Sequence, residues 1–175
     1  ETDFYTTNYD SEFYYLMSYN LKNGERSIVY KTNWDVMFSY LSKNNSYRVI
    51  AVNEDAQNKI TIKNMSDQSD INLIDFENMN INSVGFSEDE KLLRVSAGSP
   101  NSPGDIYIYE LSTNKLNKIT SNLNSNVNPK DLVNAEVIRY ESFDGLEIPA
   151  ILYKPHSANK KNKADLENRI TQINS

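Results

Sequence analysis

The sequence predicts an all-β protein built from short antiparallel strands. Three observations support this: apolar and polar residues alternate at period two, clusters of Asn, Asp, Ser and Gly separate the alternating stretches, and similar stretches recur along the chain. Strands are expected at residues 12–19, 47–52, 59–63 and 105–109. Reversals are expected at residues 22–25, 42–46, 87–91 and 112–115, because these residue types favour tight turns.

The recurrence has a period of about 45 residues. The matches are Leu41-Ser42 with Phe86-Ser87 at an offset of 45, residues 60–65 with residues 106–111 at 46, and residues 19–24 with residues 109–114 at 90. A repeat of this length made of four short strands is typical of a β-propeller blade. The sequence therefore predicts a partial β-propeller of about three blades.

We place the end of an incomplete blade at residues 1–33 and complete blades at residues 34–79 and 80–121. Three blades cannot close a ring, since propellers use roughly 4–8. The chain begins at Glu1 without a Met, which is compatible with a fragment; a split gene product and an interrupted gene stay open as alternatives. The ring would close with missing chain or with another copy that associates through the open blade edges, or it would not close at all.

The alternating pattern stops after the last blade. Residues 122–134 read as a polar linker, and residues 135–155 predict a β-hairpin about Asp144-Gly145, the strongest hairpin signal in the chain. The remaining residues, 156–175, are a polar tail. The tail contains a lysine-rich run at residues 160–163, interpreted as a solvated end, and a weakly helical stretch at residues 164–173.

Composition narrows the function classes. The 175 residues include 12 Tyr, 6 Phe and 1 Trp, which is too aromatic for a disordered tail. A net charge of −6 argues against nucleic acid, and no run reaches the roughly 18 apolar residues of a membrane helix. With no Cys and one His, neither a metal nor a cofactor site is expected. We expect a soluble chain, cytoplasmic or periplasmic, without a membrane partner.

The predicted hairpin carries a family resemblance. Residues 137–155 read Val-Ile-Arg-Tyr-Glu-Ser-Phe-Asp-Gly-Leu-Glu-Ile-Pro-Ala-Ile-Leu-Tyr-Lys-Pro. This stretch resembles the junction between the β-propeller and the α/β-hydrolase domain in the prolyl oligopeptidase family of serine peptidases, especially its acylaminoacyl-peptidase-like branch. The blade motifs Trp34-Asp35-Val36, Phe86-Ser87-Glu88-Asp89 and residues 99–107 agree with that order, and the resemblance covers about residues 3–155.

The resemblance implies that the chain is the non-catalytic propeller segment, which gates or docks peptides for a Ser-Asp-His hydrolase domain. No Gly-Xaa-Ser-Xaa-Gly elbow is present, and the His-Gly-Gly-Pro segment expected shortly after Pro155 is missing. We therefore assign no catalytic residue and expect the chain alone to be inactive. Its partner would be a peptide or a protein, including a catalytic polypeptide docked at residues 140–155. The alternative is a stand-alone propeller-type module that binds proteins or peptides.

Several side chains were weighed as site candidates. His156 is interpreted as an exposed loop histidine, and Ser99 as a loop residue beside Pro100 and Pro103. Two acidic clusters, Glu54-Asp55 and Glu88-Asp89-Glu90, are interpreted as solvated turns. The spacing of Asp67, Asp70 and Asp75 does not match a calcium-binding loop. Seven aromatic residues are assigned mainly to the core between blades, a minority facing a channel: Tyr14, Tyr15, Tyr19, Trp34, Tyr40, Tyr107 and Tyr109.

Overall fold

A computed structural model describes residues 1–55, 57–71, 73, 76 and 79–158. These residues form thirteen strands. The strands are β1 (Thr2–Thr7), β2 (Tyr15–Asn20), β3 (Arg26–Tyr30), β4 (Asp35–Leu41), β5 (Tyr47–Glu54), β6 (Gln57–Asn64), β7 (Asp70–Ile71), β8 (Asn80–Phe86), β9 (Leu92–Ser99), β10 (Ser102–Glu110), β11 (Lys115–Lys118), β12 (Ala135–Glu141) and β13 (Glu147–Tyr153). The predicted features at residues 160–163 and 164–173 lie outside the described residues.

The chain divides into two compact units, Glu1–Ser99 with Pro103–Asn122, and Pro100–Ser102 with Leu123–Ser175. The first unit is built on three antiparallel sheets, β1–β3, β4–β7 and β8–β11, in which neighbouring strands follow one another along the chain. The predicted all-β class is confirmed. The blade boundaries at residues 33/34, 79/80 and 121/122 stay a prediction.

The same turn precedes β5 and β9. The Oγ of Ser42 accepts a hydrogen bond from Tyr47 N at 2.9 Å, and the Oγ of Ser87 accepts one from Leu92 N at 3.0 Å. Each serine N–H also donates, at 2.9 Å, to the carbonyl of the same strand residue. A serine side chain therefore closes both reversals by satisfying a backbone N–H that the turn leaves unpaired.

Left-handed backbone positions repeat as well. Asn45 and Glu90, in the turns before β5 and β9, have φ of 60° and 54°. In the turns that follow β2, β6 and β10, Gly24, Gln68 and Asn114 have φ of 74°, 60° and 55°. Few non-glycine residues adopt this conformation, so its recurrence at spacings of 44 to 46 residues is a structural form of the sequence repeat.

Two apolar cores hold the three sheets together. Leu16 of β2 packs in one core with Val36, Ile50 and Val52 from the middle sheet. The other core joins the middle sheet to the third sheet, and its fully buried members include Val49, Ile62, Leu93, Val95 and Ala97. Each face of the middle sheet thus packs against a different neighbour.

That arrangement corrects one expectation about β5. Period two was expected at residues 47–52, yet residues 48–52 are all buried. Val49 faces the third sheet while Ile50 faces the first, so both sides of this strand are covered. Arg48 is buried too, and its guanidinium lies 3.9 Å from the ring centroid of Phe4. Burial lowers the pKa of Arg48.

The second unit contains the hairpin of β12 and β13, preceded by a 3-10 turn at Pro129–Asp131. The predicted hairpin is confirmed, and the turn spans residues 142–145. Gly145 N–H donates to Ser142 O at 3.0 Å, and Ser142 N–H donates to Leu146 O at 2.8 Å. Only Gly145 is left-handed, with φ of 82°, whereas a two-residue type I′ turn would need Asp144 to be left-handed as well.

Candidate functional site

A cavity of about 590 Å³ lies in the first unit, at the outer edge of the middle sheet. It is lined by the β5–β6 hairpin, by β7, and by residues of the β3–β4 and β7–β8 connections. This volume falls in the range of small-ligand and peptide pockets. The cavity is therefore a binding-site candidate.

The cavity has two unlike sides. Ile60, Ile71, Met79 and Ile81 provide an apolar side, continuous with the core between the middle and third sheets. Tyr30 and Trp34 provide an aromatic side and pack against the core that contains Leu16. Glu54 and Lys59 add charges to this aromatic side. Successive strand residues point to opposite faces, so the cavity extends around the edge of the sheet.

The charged residues that line this cavity differ in whether they form an ion pair. Asp70 accepts a hydrogen bond from Lys63 at 2.6 Å and is thereby engaged within the sheet. Lys59 makes no ion pair with any described residue. The exposed ammonium of Lys59 lies beside the aromatic rings and can attract a carboxylate to the aromatic side of the cavity.

His156 and Ser99 do not come together with catalytic partners in the described chain. The Nε2 of exposed His156 lies 3.1 Å from the carbonyl oxygen of Leu132, a backbone contact within the second unit. Ser99 is the last residue of β9, not a loop residue, and the connection to β10 is Pro100 and Asn101. Pro103 lies inside β10, near its start, where a strand tolerates a missing N–H.

The acidic turn at residues 88–90 is only partly solvated. Glu88 pairs with Lys43 of the middle sheet, and Asp89 accepts from Ser87 Oγ at 2.7 Å, which lowers the pKa of Asp89. Glu90 is 6% exposed, so the expectation of a solvated side chain was wrong for this residue. Its Oε1 accepts from Asn44 N at 2.6 Å.

Glu90 therefore connects two sheets. Burial is the largest influence on its pKa and raises it, but hydrogen bonds from Ser46, from the Asn44 backbone and from Ser42 together outweigh burial and lower it. One feature of the sequence sets Glu90 apart. The repeat aligns it with Asn45, and the left-handed conformation that both residues adopt favours Gly or Asn over Glu. The burial itself depends on a turn 45 positions earlier.

The other acidic candidates lie at reversals. Glu54 ends β5 and lines the cavity, and Asp55 is left-handed, with φ of 50°. Asp67 accepts from Ser69 Oγ at 2.7 Å, which lowers its pKa. Asp75 lies outside the described residues. Within residues 1–55, 57–71, 73, 76 and 79–158, no group of three His, Cys, Asp or Glu gathers as a metal site.

The seven aromatic candidates divide into four environments. Tyr107 and Tyr109 are buried between the middle and third sheets, and Trp34 packs at the first core and lines the cavity. Tyr40 donates from its hydroxyl to Val84 O at 2.8 Å, and burial raises the pKa of Tyr40. The others lie on or beside the first sheet: Tyr14 is exposed, Tyr15 is buried, and Tyr19 is half-buried.

One polar cluster escaped the sequence analysis. Asp105 in β10 is 2% exposed and accepts hydrogen bonds from Lys118 Nζ at 2.6 Å, Asn122 N at 2.8 Å and Thr120 Oγ1 at 3.0 Å. The Lys118 hydrogen bond is the main reason that the pKa of Asp105 lies below its usual range. This carboxylate organises residues 119–122 beside β10, where Ile106 N donates to Thr120 Oγ1 at 2.8 Å and Ile106 O accepts from Ile119 N at 2.8 Å.

No protein-family model matches the sequence, and no curated protein matches it. Solved structures do. The crystal structure of a serine-to-alanine mutant of puromycin hydrolase complexed with PGG is 13% identical, with a TM-score of 0.66, over 86% of this chain and 23% of that chain. A puromycin-hydrolyzing peptidase of Mycobacterium tuberculosis is 11% identical, with a TM-score of 0.67, over 89% of this chain and 24% of that chain.

The fold is that of partial propeller blades. The predicted fold class is thus confirmed, and the chain spans about a quarter of the length of the peptidases it matches. The similarity is structural, at identities that establish the fold alone. No helix in the described part of the chain is both long and apolar enough to cross a membrane.

Proposed function

We propose that this chain is the non-catalytic propeller segment of a prolyl-oligopeptidase-like serine peptidase, where it gates or docks peptides for hydrolysis by a separate catalytic domain. The order of elements carries the proposal: three small antiparallel sheets are followed by the hairpin of β12 and β13. The similarity to two puromycin-hydrolyzing enzymes supports it. Propeller and junction occur in that order in the family that the sequence resembles.

The hairpin gives independent support. Apolar side chains stand exposed along it: Val137, Ile138, Tyr140, Leu146, Ile151 and Tyr153. A two-stranded hairpin is marginally stable in water unless further strands or a helix cover it. In the proposed enzyme, the first strands of the hydrolase domain continue from this hairpin and bury these side chains.

The decisive experiment is the intact mass of the native polypeptide, captured from its source cell with an antibody raised against this chain. We expect a species well above 20.1 kDa that a fluorophosphonate probe labels at an active serine. The purified 175-residue chain is the control and should remain unlabelled, because it holds no nucleophile elbow.

A native species near 20 kDa without an associated labelled polypeptide would overturn the proposal. It would favour the stand-alone binding module. Labelling of the purified chain itself, surviving repurification, would contradict the assignment of no catalytic residue.

A further inference from the structure

One backbone hydrogen bond recurs in the three sheets and shows which strands are equivalent. It joins the residue that follows β2, β6 or β10 to the residue that precedes β1, β5 or β9. The bonds are Leu21 N to Glu1 O at 3.0 Å, Met65 N to Ser46 O at 2.8 Å, and Leu111 N to Lys91 O at 3.0 Å. Successive acceptors lie 45 residues apart, which is the period of the repeat. By this criterion β1 is equivalent to β5 and to β9.

These equivalent strands differ in how many neighbours they have. β5 lies between β4 and β6, and β9 lies between β8 and β10, whereas β1 has β2 as its only neighbour among the described strands. On the β4 side, Tyr47 N–H donates to Ser42 Oγ at 2.9 Å, and Tyr47 O accepts from Ser42 N at 2.9 Å. Leu92 makes the same two bonds with Ser87 on the β8 side. No described strand takes this place beside β1.

The bond between Leu21 and Glu1 also fixes which backbone groups of β1 point away from β2. Because these groups alternate along an antiparallel strand, the N–H and C=O of Thr2, Phe4 and Thr6 point to the opposite side, which we call the free edge of β1. Residues 1–55 are described without a gap. Among them and the other described residues, none bonds to the outward backbone groups of Thr2, Phe4 or Thr6.

The strand β4 shows which side chains suit such a position. Tyr40 lies opposite Val49, and its hydroxyl donates to Val84 O in the next sheet at 2.8 Å. The repeat places Phe4 at the position of Val49, and Ser39 at the position of Val84. Among the described residues, none donates to the carbonyl of Ser39. A tyrosine opposite Phe4 would therefore find the same kind of acceptor in the middle sheet, and it would form an aromatic cross-strand pair with Phe4.

We propose that the free edge of β1 binds an extended antiparallel segment with the residue pattern of β4: a tyrosine opposite Phe4, an apolar residue opposite Asp3, and a serine that closes onto Thr2. Strand addition of this kind takes affinity from backbone hydrogen bonds and specificity from alternate side chains. The segment comes from the longer polypeptide of the proposed function. Its source therefore rests on that function, whereas the pairing rests on the repeat alone.

The test uses the 175-residue chain and a fluorescein-labelled peptide with the sequence of residues 35–42, Asp-Val-Met-Phe-Ser-Tyr-Leu-Ser, in a fluorescence anisotropy titration. We expect saturable binding. N-methylation of the peptide's Tyr should weaken binding at least about tenfold, because this N–H donates to the Phe4 carbonyl and the methyl group enters the interface. N-methylation of the preceding Ser is the matched control. It should leave the affinity unchanged, since that N–H points away from β1.

Further variants test the tyrosine and locate the site on the protein. A peptide with Phe in place of Tyr loses the hydrogen bond to Ser39 O and should bind about fivefold more weakly. In the protein, Thr6→Pro removes an outward N–H while sparing the bonds to β2, so it should abolish binding with far-UV circular dichroism unchanged. Thr6→Val keeps the N–H and should bind the peptide as the wild type does.

Equal binding of the two N-methylated peptides would overturn the proposal, as would the absence of saturable binding up to millimolar peptide. A dimer of the free chain in sedimentation velocity that Thr6→Pro dissociates would assign the edge to a second copy and would overturn it too. The N-methylated pair keeps the test decisive even if Thr6→Pro fails to fold, because both peptides are titrated into the wild-type chain. These titrations test the pairing without a catalytic domain, whereas the native mass tests the proposed function, so the two can fail separately.

Discussion

The sheets β4–β7 and β8–β11 share their turns but not their outer edges. Ser42 and Ser87 close equivalent reversals with the same hydrogen bonds, and Asn45 and Glu90 adopt the same left-handed conformation. β11 and the segment after it cover β10, whereas the described pairs between β7 and β6 are Ile71 with Ile62 and Asp70 with Lys63. The repeat therefore determines the turns between strands, but it does not determine which residues cover the outer strand of each sheet.

The difference shows that a repeat can keep its turns while the contacts at its strand edges change. The turns depend on local hydrogen bonds, which any copy of the repeat can make. Edge coverage depends on one acceptor side chain, Asp105, which organises residues that follow the sheet.

The largest expected effect concerns the core that joins these two sheets. Leu93 is fully buried there, while its neighbour Leu92 is 40% exposed. Leu93→Ala should lower the free energy of unfolding by about 2–5 kcal/mol, because it removes buried methyl groups and leaves a cavity. Leu92→Ala, the matched control, should cost under about 1 kcal/mol. Urea unfolding followed by circular dichroism measures both.

Similar losses in the two leucine variants would mean that the sheets do not rely on this core. A broad or two-step transition in Leu93→Ala would show instead that the sheets unfold separately once the core is weakened.

A smaller effect should follow from opening the edge of β10. Asp105→Ala removes the acceptor for Lys118, Thr120 and Asn122, so the melting temperature should fall and the Ile106 amide should lose protection from hydrogen exchange. Asp70→Ala is the control, since it removes the acidic partner of Lys63 at an exposed position and should change the melting temperature little.

The effect of Asp105 should depend on pH in a defined direction. Its pKa is lowered mainly by the Lys118 hydrogen bond, so it stabilises the fold above its unfolded pKa of about 3.9, and this contribution is lost as pH falls through the lower folded pKa. The difference in melting temperature between wild type and Asp105→Ala should be full at pH 7 and shrink below about pH 4. A constant difference across this range would contradict a role for the ionised carboxylate.

Much of the fold was predictable because its causes are local. Alternation at residues 59–63 and 105–109 gave β6 and β10, and the turn clusters gave the reversals between strands. The hairpin about Asp144-Gly145 was predictable for the same reason. Its turn geometry was not, because the sequence pair Asp-Gly fits both a two-residue turn and the wider turn observed at residues 142–145.

The candidate site was not predictable from local pattern. The cluster at Asp105 acts through Asn122, 17 residues later in the chain, so alternation along β10 could not reveal it. The burial of residues 48–52 required knowing that the middle sheet lies between two others. The sequence repeat located equivalent positions, but only the hydrogen bonds showed how residues 119–122 cover the edge of β10.

The smallest expected effect separates the two equivalent turns. Asn45 is exposed, unlike the buried Glu90, and glycine adopts its left-handed conformation readily, so Asn45→Gly should change the free energy of unfolding by less than about 0.5 kcal/mol. Glu90→Gly also relieves a left-handed residue, yet it removes the carboxylate that accepts from Asn44 N, and it should lower the melting temperature. Glu90→Gln keeps an acceptor and should fall between the two. If both glycine variants behave alike, the contact between the turns adds nothing to stability, and local backbone geometry alone decides the energy of each reversal.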